Sequence, residues 1–437
     1  MTSRQPDDIE CFEIGSGHQV PWNGSRRALG DDWPTIESLA NRGVIQIEMR
    51  DDRVAISGAT RVGLIVLPSG RRLVIRSKIP SLTLLEWLAY LGEFPSLSSW
   101  LPDAGVAAQA TEQDDWHRCI GRLFLYALEQ VTRSHLQKDY VAITSDPPEI
   151  HGRIDTTAFA RRLHRLPRVP QIQRRRTLDT PFNIVLALAL DRLPVLLADG
   201  RPSDHRLLGR LREQWAWISR DVADPVAEVT AAQWASPPGY RAALQLARLI
   251  LIGAVLDPIS TMGGQAFTLP LAAIWERALR RMLGDLADET GWHPVPDGQR
   301  IRNWDDPVGR DDPKRRLMAD VIAERAGARW VLDTKYKMEY RDESRLDRFQ
   351  MCAYAVAFDA DRVSLVYPTG SSTGLVRDLL HATIGNRTLC IDSLALPMAA
   401  GPETCRAALA AVEYFPHSSR ANAPPHPDTR TIQTGQL

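Results

Sequence analysis

Two aspartates and a lysine, Asp320, Asp333 and Lys335, lie in or beside two short apolar segments separated by Ala326-Gly327. The two segments are typical of strands joined in a β-hairpin. A tight turn centred on Ala326-Gly327 places Asp320 opposite Asp333 on the neighbouring strand, with Cβ atoms about 5 Å apart. Lys335 follows Asp333 by two residues and therefore points to the same face of its strand. The pattern predicts two carboxylates and an amine close together.

Two carboxylates held this close in an apolar sheet must share a proton or bind a cation, because buried like charges raise each other's pKa. A divalent metal ion is the simpler of the two solutions. One alternative is a solvent-facing hairpin, in which Asp333 and Lys335 are ordinary surface residues. Another is a register shifted by one residue, which would turn Asp320 to the opposite face. The apolar neighbours favour a buried face; these are Leu317, Val321, Val331 and Leu332.

Two further segments carry polar residues that could lie near the hairpin. Gln350 and Tyr354 are four residues apart in a predicted helix from residue 347 to 358, so they share a helix face. Helix packing by the tyrosine, beside a surface glutamine, is the alternative. Glu276 lies beside the apolar stripe of a predicted helix from residue 271 to 286. It could equally be a surface glutamate paired with Arg280, four residues on.

The order Asp320, then Asp333-Thr334-Lys335 on the next strand, resembles the core of the PD-(D/E)xK nuclease superfamily. With its neighbouring sequence it resembles the McrC family, the nuclease subunits of McrBC modification-dependent restriction systems. The sequence departs from the usual pattern at Ala319, where the superfamily commonly has a proline. The stretches that carry the resemblance to McrC are Gly63–Pro80, Glu149–Asp155, Thr177–Asn183, Leu332–Lys337, Asp347–Ala355 and Ser364–Pro368.

The resemblance implies hydrolysis of DNA phosphodiester bonds with Mg²⁺ as the cofactor. A hard divalent ion generates a nucleophile at neutral pH and stabilises the charge on the departing oxygen. Asp320 and Asp333 would bind the metal ion, and the Thr334 carbonyl could join them. A helix glutamate completes the metal site in related nucleases, which makes Glu276 the third candidate ligand.

The same resemblance gives roles to other residues near the hairpin. Lys335 would orient or deprotonate the attacking water, or neutralise charge on the phosphate. Gln350 and Tyr354 resemble the QxxxY pair that borders the active site in the RecB-type branch of the superfamily. The candidate catalytic set is Asp320, Asp333, Lys335, Gln350 and Tyr354.

The sequence lacks several motifs that would indicate another activity. It contains no HExxH motif and no G-x-x-x-x-G-K-(S/T) motif, so the chain carries no P-loop NTPase of its own. The resemblance implies a hexameric McrB-like AAA+ GTPase partner that finds methylated duplex DNA for this chain to cleave. The alternatives are a free-standing RecB-like repair nuclease and a non-catalytic adaptor on a decayed nuclease fold. Intact Asp320, Asp333 and Lys335 argue against decay.

The candidate site residues must be positioned by a sheet with helices packed on it. The predicted elements indicate an α/β protein, which is α+β overall. Residues 1–112 are rich in predicted strands and form a lobe that would bind the partner. Residues 113–258 form a helical middle domain. Residues 259–416 form the PD-(D/E)xK nuclease domain, with a mixed sheet flanked by helices. Residues 417–437 are rich in Pro, Ser, Thr and Asn and are expected to be a disordered tail.

A basic segment lies within the middle domain between residues 161 and 176. It contains seven arginines and no acidic residue. One hypothesis is an arm that contacts DNA phosphates without reading the base sequence. The other is a solvated loop. The candidate DNA-binding residues are Arg161, Arg162, Arg165, Arg168, Arg174, Arg175 and Arg176.

The whole chain of 437 residues has 53 basic and 53 acidic residues, so its formal net charge is zero. Any DNA-binding site must therefore be a local patch. The five cysteines form no CxxC pair, which favours a reduced cytosolic protein without a zinc or iron–sulfur site. No basic-then-apolar leader opens the chain, and no apolar run reaches about 18 residues. We expect a cytoplasmic protein with no membrane partner.

Overall fold

The computed structural model describes twelve stretches of the chain: residues 8–12, 22–59, 61–93, 115–161, 168–222, 237–255, 265–303, 316–336, 345–371, 373–384, 387–413 and 430–432. Contacts divide the chain into two compact units, residues 1–117 with 257–437, and residues 118–256. The second unit is therefore inserted in the sequence of the first. The lobe predicted at 1–112 and the nuclease domain predicted at 259–416 fall in one unit.

The secondary structure alternates between strands and helices along most of the chain. The strands are β1 (Ile9–Phe12), β2 (Trp22–Ser25), β3 (Ile45–Arg50), β4 (Arg53–Gly58), β5 (Arg61–Val66), β6 (Arg72–Arg76), β7 (Asp139–Ser145), β8 (Arg153–Ile154), β9 (Gln171–Thr177), β10 (Gln265–Pro270), β11 (His293–Pro294), β12 (Ile301–Asn303), β13 (Arg316–Met318), β14 (Val321–Arg325), β15 (Ala328–Thr334), β16 (Arg362–Pro368), β17 (Gly374–Ile384), β18 (Arg387–Leu396) and β19 (Arg430–Ile432). The helices are α1 (Arg26–Leu29), α2 (Trp33–Asn41), α3 (Ser81–Tyr90), α4 (Trp116–Arg133), α5 (Thr156–Ala160), α6 (Pro181–Leu196), α7 (Pro202–Gln214), α8 (Arg241–Val255), α9 (Leu271–Asp285), α10 (Ala287–Thr290), α11 (Arg345–Ala357) and α12 (Pro402–Glu413).

One sheet of the first unit has the strand order β1-β6-β5-β10. β5 and β6 pair antiparallel, and β1 runs parallel to β6. β10 follows the second unit in sequence and pairs antiparallel with β5. The two backbones lie so close that a Cβ on Gly63, whose φ is 144°, would be 2.1 Å from the Phe267 carbonyl oxygen. Only glycine is accommodated there.

A smaller sheet, β2-β4-β3, lies in the same unit. Along β4 the burial alternates, with Val54 and Ile56 buried and Arg53 exposed. Such a period of two is expected where one face of a strand covers a core. Val54 and Ile56 join Ile36 and Leu39 of α2 in one buried cluster.

The largest sheet has seven strands in the order β11-β14-β15-β16-β18-β17-β19. β15, β16 and β18 are parallel neighbours, whereas β14-β15 and β17-β18 pair antiparallel. α9 contacts β14 and β15, α11 contacts β16, and α12 contacts β17 and β18. The prediction of a mixed α/β chain, with a mixed sheet flanked by helices, is confirmed.

Helix α11 covers one face of this sheet. Its buried side chains Met351 and Tyr354 join Val331 of β15 and Val363 of β16 in one cluster, and Val331 and Val363 are register partners. Asp333 comes two residues after Val331 and so lies on the same face of β15. The packing that buries this helix therefore also places it beside Asp333.

The second unit combines helices with a small sheet of order β7-β9-β8. α6 begins at Pro181, and the Thr180 hydroxyl oxygen accepts a hydrogen bond from the Asn183 N–H at 3.2 Å, capping the helix. The sheet is open to solvent, since β7 is exposed from Asp139 through residue 144. The middle region is therefore helical with an exposed sheet attached to it.

None of the helices in the described stretches is long and apolar enough to cross a lipid bilayer. Of the tail predicted at residues 417–437, the described part is β19, which pairs antiparallel with β17. The rest of that tail lies outside the described residues, as does Lys337.

Candidate active site

The hairpin β14-β15 turns at Ala326 and Gly327, whose φ angles are 48° and 85°. Two successive positive φ angles are typical of the tight turns that join twisted strands. The register pairs Arg325 with Ala328 and Val321 with Leu332, as predicted. Asp320 directly precedes Val321, and Asp333 directly follows Leu332. The predicted register is confirmed, and the one-residue shift is excluded.

The Asp320 carboxylate is anchored to β15. Its Oδ2 accepts a hydrogen bond from the Thr334 N–H at 2.7 Å and another from the Thr334 hydroxyl at 2.6 Å. Two donors from one residue fix both the position and the direction of this oxygen. The groups of Thr334 that bind Asp320 are its backbone N–H and its hydroxyl, and the role predicted for its carbonyl stays a prediction.

Asp333 is 3% exposed, so the solvent-facing hairpin is wrong. Burial raises the pKa of Asp333, Lys335 lowers it, and the Asp320 charge raises it again, with a net shift upward. Lys335 Nζ lies 2.7 Å from Asp333 Oδ2 as an ion pair. No other donor among the described residues reaches that buried oxygen. A charge in this position costs free energy unless a further cation approaches it.

A chain of hydrogen bonds joins Lys335 to α11. Lys335 Nζ donates to Gln350 Oε1 at 3.0 Å, and Gln350 Nε2 donates to the Tyr354 hydroxyl at 2.7 Å. Tyr354 in turn donates to the Met318 carbonyl at 2.9 Å, and Gln350 Nε2 lies 3.4 Å from Asp333 Oδ1. Gln350 and Tyr354 therefore do more than pack the helix: they hold the lysine and the buried aspartate.

Glu276 on α9 is half-buried and lies 3.6 Å from Arg300 Nη1. Burial and the Asp320 charge raise the pKa of Glu276, and the guanidinium groups of Arg300 and Arg280 lower it, with a net shift upward. Arg300 Nη1 also donates to the Asp320 carbonyl, so this guanidinium links Glu276 to the backbone at Asp320. Arg280 donates to Asp297 and to the Asp320 carbonyl, so the predicted alternative of a simple Glu276–Arg280 surface pair does not describe this site.

Two arginines hold the backbone at Asp320, a role that the sequence predicted for neither of them. Arg300 donates to the carbonyl oxygens of Ala319, at 3.0 Å, and of Asp320. Arg280 donates to the Asp320 carbonyl at 2.9 Å. No motif or periodicity identifies these residues, because their acceptors are backbone oxygens distant in sequence.

The oxygens of Asp320 and Asp333 are suitable ligands for a hard divalent ion. Among the described residues no three His, Cys, Asp or Glu side chains are grouped closely enough to hold a metal ion between them. Mg²⁺, however, is commonly bound through one or two carboxylates and keeps several of its waters. The buried Asp333 oxygen, whose partner is Lys335, fits such a ligand, with Asp320 as its neighbour. Glu276 does not form a three-carboxylate group with the two aspartates, and its role as a third ligand stays a prediction.

The described part of the basic segment lies in the second unit. Five arginines of the segment are exposed, and Arg162 and Arg165 lie outside the described residues. Arg174, Arg175 and Arg176 are consecutive on β9, next to β7. A groove of about 740 Å³ at that sheet is lined by Lys138, Val141, Ile143, Arg175, Arg176, Thr177, Leu178, Asp179 and Trp217. The surface is therefore both cationic and apolar. The exposed arginines are Arg161, Arg168, Arg174, Arg175 and Arg176.

A comparison with known families finds a match. Residues 58–368 match the sequence model of the McrBC family, described as "McrBC 5-methylcytosine restriction system component". A search of curated proteins gives no match.

Several chains of solved structures match this chain, among them the following two. One is a chain of the refined half-complex from the tetradecameric assembly of Thermococcus gammatolerans McrB AAA+ hexamers with bound McrC. It is 12% identical, the match covers 92% of this chain and 99% of that one, and the TM-score is 0.61. The other is the cryo-EM structure of the Thermococcus gammatolerans McrBC complex, 13% identical, covering 63% of this chain and 87% of that one, with a TM-score of 0.42.

Proposed function

The chain belongs to the family of McrBC 5-methylcytosine restriction system components, and from this premise we propose that it is the Mg²⁺-dependent nuclease subunit. Its substrate would be duplex DNA that contains methylcytosine. The nuclease centre would be a PD-(D/E)xK site built on β14, β15 and α11. We also propose that it acts in the cytoplasm, where restriction of incoming DNA takes place.

One observation carries this proposal. Asp333 is buried with a raised pKa, beside a second carboxylate and in an ion pair with Lys335. Perturbed acids of this kind concentrate at functional sites, because a fold gains nothing in stability from them. Asp320, Asp333 and Lys335 are also the three residues that the PD-(D/E)xK pattern requires.

Each residue of the site would have its own role in hydrolysis. Asp320 and Asp333 would hold the metal ion, with Glu276 as a further oxygen donor. When bound, Mg²⁺ supplies an activated water and offsets negative charge on the phosphate. Thr334 keeps the Asp320 carboxylate directed into the site through its two hydrogen bonds.

Lys335 would act as a cation rather than as a base. Its ammonium group already forms an ion pair with Asp333, and Gln350 fixes its direction. A fixed ammonium can orient the attacking water by hydrogen bonding and offset charge that develops on the phosphate. Tyr354 contributes by holding Gln350, through a hydrogen bond at 2.7 Å.

Cleavage of methylated plasmid tests this proposal. With Mg²⁺ and a co-purified AAA+ GTPase, the wild-type chain should cleave, and Asp333→Ala and Asp320→Ala should not, although both variants stay folded. Full cleavage by Asp333→Ala would remove the nuclease assignment. Cleavage without the GTPase would favour a free-standing RecB-like nuclease. Ring binding without any cleavage by the wild type would favour the adaptor.

We propose that the partner is a McrB-like AAA+ GTPase ring. The similar solved assembly contains McrB AAA+ hexamers with bound McrC. The sequence-based hypothesis gives this contact to the lobe at residues 1–112. Deleting that lobe would remove β5, to which β10 pairs, so a truncation would disturb the first unit as a whole.

A second surface is also a candidate for the ring contact. The exposed sheet of the second unit carries large apolar side chains, including Tyr140 at 61% exposure, and Trp217 nearby is 86% exposed. Exposed aromatic groups beside arginines are typical of protein interfaces. Trp217→Ser and Met49→Ser, the latter on β3 of the lobe, compare the two surfaces in a pull-down with the ring. Loss of binding by one variant alone assigns the contact to its unit.

We propose that the basic segment contacts DNA phosphates. If it does, replacing Arg174, Arg175 and Arg176 with glutamine should weaken DNA binding equally for all sequences. The slope of log affinity against log salt concentration should flatten by about 0.9 for each arginine–phosphate pair that is removed. An unchanged slope would leave these arginines as solvated side chains or as part of the ring contact.

A further inference from the structure

Two guanidinium groups converge on one backbone oxygen in the candidate active site. Arg300 is 8% exposed and donates Nη1 to the carbonyl oxygens of Ala319 and Asp320. Arg280 donates Nη2 to the same Asp320 oxygen at 2.9 Å. The two arginines come from different elements, Arg280 from α9 and Arg300 from the end of the short 3-10 helix Asp297–Arg300.

Within the described stretches, the backbone at this point has no strand pairing to hold it. β13 ends at Met318 and β14 begins at Val321, so Ala319 and Asp320 lie between two strands. Backbone groups inside a protein need partners, and in a sheet the neighbouring strand supplies them. Here Arg300 supplies them instead: its side chain binds both carbonyls, and its own carbonyl accepts the Ala319 N–H at 3.1 Å.

The hydrogen bonds from the arginines are stronger than the backbone hydrogen bonds that a neighbouring strand would supply. A hydrogen bond from a charged guanidinium group is shorter and stronger than one from a neutral amide. Both arginines also bind the exposed carboxylate of Asp297, which joins them to each other. The Asp320 residue is therefore held at its carbonyl by the arginines and at its carboxylate by Thr334.

The arginines also place positive charge among the acids. Arg300 Nη1 lies 3.6 Å from Glu276 and also donates to the Asp320 carbonyl. Carboxylates near one another would otherwise repel and move apart. A guanidinium group cannot lose its proton in a protein, so its charge is constant over the working pH range.

We propose that Arg300 and Arg280 are positioning residues that hold Asp320 and Glu276 in the geometry for metal binding. The inference rests on the proposed function and adds two residues to it. Loss of groups that orient metal ligands commonly weakens metal binding about ten- to a hundredfold. The arginines themselves would not touch the metal ion or the DNA.

Metal binding by the full-length chain tests the inference without a cleavage assay. Mn²⁺, a paramagnetic substitute for Mg²⁺, is titrated and its free concentration followed by electron paramagnetic resonance. Arg300→Gln should raise the Mn²⁺ dissociation constant about tenfold or more. Arg329→Gln is the matched control, because Arg329 also binds a carboxylate, Glu324, and a backbone carbonyl, that of Phe358 at 2.6 Å. The control should bind Mn²⁺ as the wild type does.

Hydrogen exchange supplies a readout that needs no metal. If Arg300 holds Asp320 in place, the Thr334 amide, which donates to Asp320 Oδ2, should exchange faster in Arg300→Gln and unchanged in Arg329→Gln. Unaltered exchange and unaltered Mn²⁺ affinity in a folded Arg300→Gln protein would overturn the inference. If Arg300→Gln does not fold, Arg280→Gln removes one of the two donors and is judged by the same criteria.

The outcomes separate this inference from the proposed function. If the wild type binds no Mn²⁺ and Asp320→Ala cleaves DNA normally, the metal-dependent nuclease assignment fails. If the wild type binds Mn²⁺ through Asp320, but Arg300→Gln and Arg280→Gln bind it equally well, only the positioning role fails. Arg300→Lys refines a positive result, since lysine keeps the charge but cannot bridge two carbonyls in the same fork.

Discussion

Two buried carboxylates in the seven-stranded sheet have opposite surroundings. Asp392 on β18 is 0% exposed and accepts hydrogen bonds from Arg362 Nε at 2.8 Å and from the Ser364 hydroxyl; Arg362 Nη2 also lies 2.7 Å from it. Asp333 on β15 is 3% exposed and lies beside another carboxylate, Asp320, with a raised pKa. Asp392 meets donors alone, whereas Asp333 meets the Lys335 ammonium and also the charge of a second carboxylate.

Both partners of Asp392, Arg362 and Ser364, are held in turn by Trp330. Trp330 Nε1 donates to Ser364 Oγ at 2.7 Å, and the Arg362 guanidinium lies 4.4 Å from the centre of the Trp330 ring. In this network the donors of Arg362, Ser364 and Trp330 each have an acceptor or an aromatic ring as partner. The comparison suggests how to distinguish a structural acid from a functional one. The negative charge of a functional acid is buried without enough positive charge or hydrogen-bond donors around it, so a bound cation or substrate must stabilise it.

The largest expected effect comes from removing each charge in turn. Asp392→Asn should lose about 3–5 kcal/mol of unfolding free energy, because it leaves the Arg362 guanidinium buried without its counter-ion. Asp333→Asn should leave the stability of the metal-free protein unchanged or raise it, because it relieves the repulsion with Asp320. Chemical denaturation followed by circular dichroism, in the absence of divalent ions, measures both.

The pH dependence sharpens this contrast. The pKa of Asp333 is raised in the folded protein, so its ionisation costs stability as pH rises through that raised value. The gain in Asp333→Asn should be present at neutral pH and disappear as pH falls to about 3.9, the ordinary aspartate value. Equal destabilisation of both variants at neutral pH would abolish the distinction between the two sites.

A second, smaller effect is expected at Lys335. Lys335→Met keeps the length of the side chain but removes the cation beside Asp333, and cleavage should fall about a hundredfold or more. Steady-state kinetics then identifies the role of the lysine. A lower kcat with unchanged KM assigns it to the attacking water, and a higher KM assigns it to phosphate binding. Normal cleavage by this variant would place the chemistry elsewhere.

The smallest effect compares one hydroxyl from each network. Tyr354→Phe removes the bond to the Met318 carbonyl and should cost about 1 kcal/mol of stability. It should also lower cleavage, because Gln350 loses a partner and holds Lys335 less firmly. Ser364→Ala should cost about 1–3 kcal/mol, because Trp330 and Asp392 lose a buried partner, yet cleavage per folded molecule should stay at the wild-type level. A cleavage defect in Ser364→Ala would mean that the two networks are coupled.

The parts of the site that the sequence predicted depend on local patterns. The turn at Ala326-Gly327 and the alternation along the strands determine the register that brings Asp320 opposite Asp333. The four-residue spacing of Gln350 and Tyr354 places both on one face of α11. Each of these relations spans fewer than twenty residues and follows from strand or helix geometry.

The parts that were not predicted depend on tertiary contacts. Arg280 and Arg300 bind backbone carbonyls, and a carbonyl is present at every position, so no residue type in the sequence marks the acceptor. Asp392 lies in a ten-residue strand, and only the packing of β16 against β18 brings its partners to it. The pairing of β10 with β5 joins segments on either side of the second unit, which no local pattern reveals.

The order in which β5 and β10 leave the ribosome has a consequence for synthesis. β10 is made about 200 residues after β5, which is about 10–40 s at the usual rates of translation. During that interval β5 has β6 on one side and an open edge on the other, with Val62, Leu64 and Ile65 not yet covered. An apolar strand with a free edge can pair with another nascent chain. The yield of soluble protein should therefore be limited by this waiting period, and slower translation through the second unit should lower it.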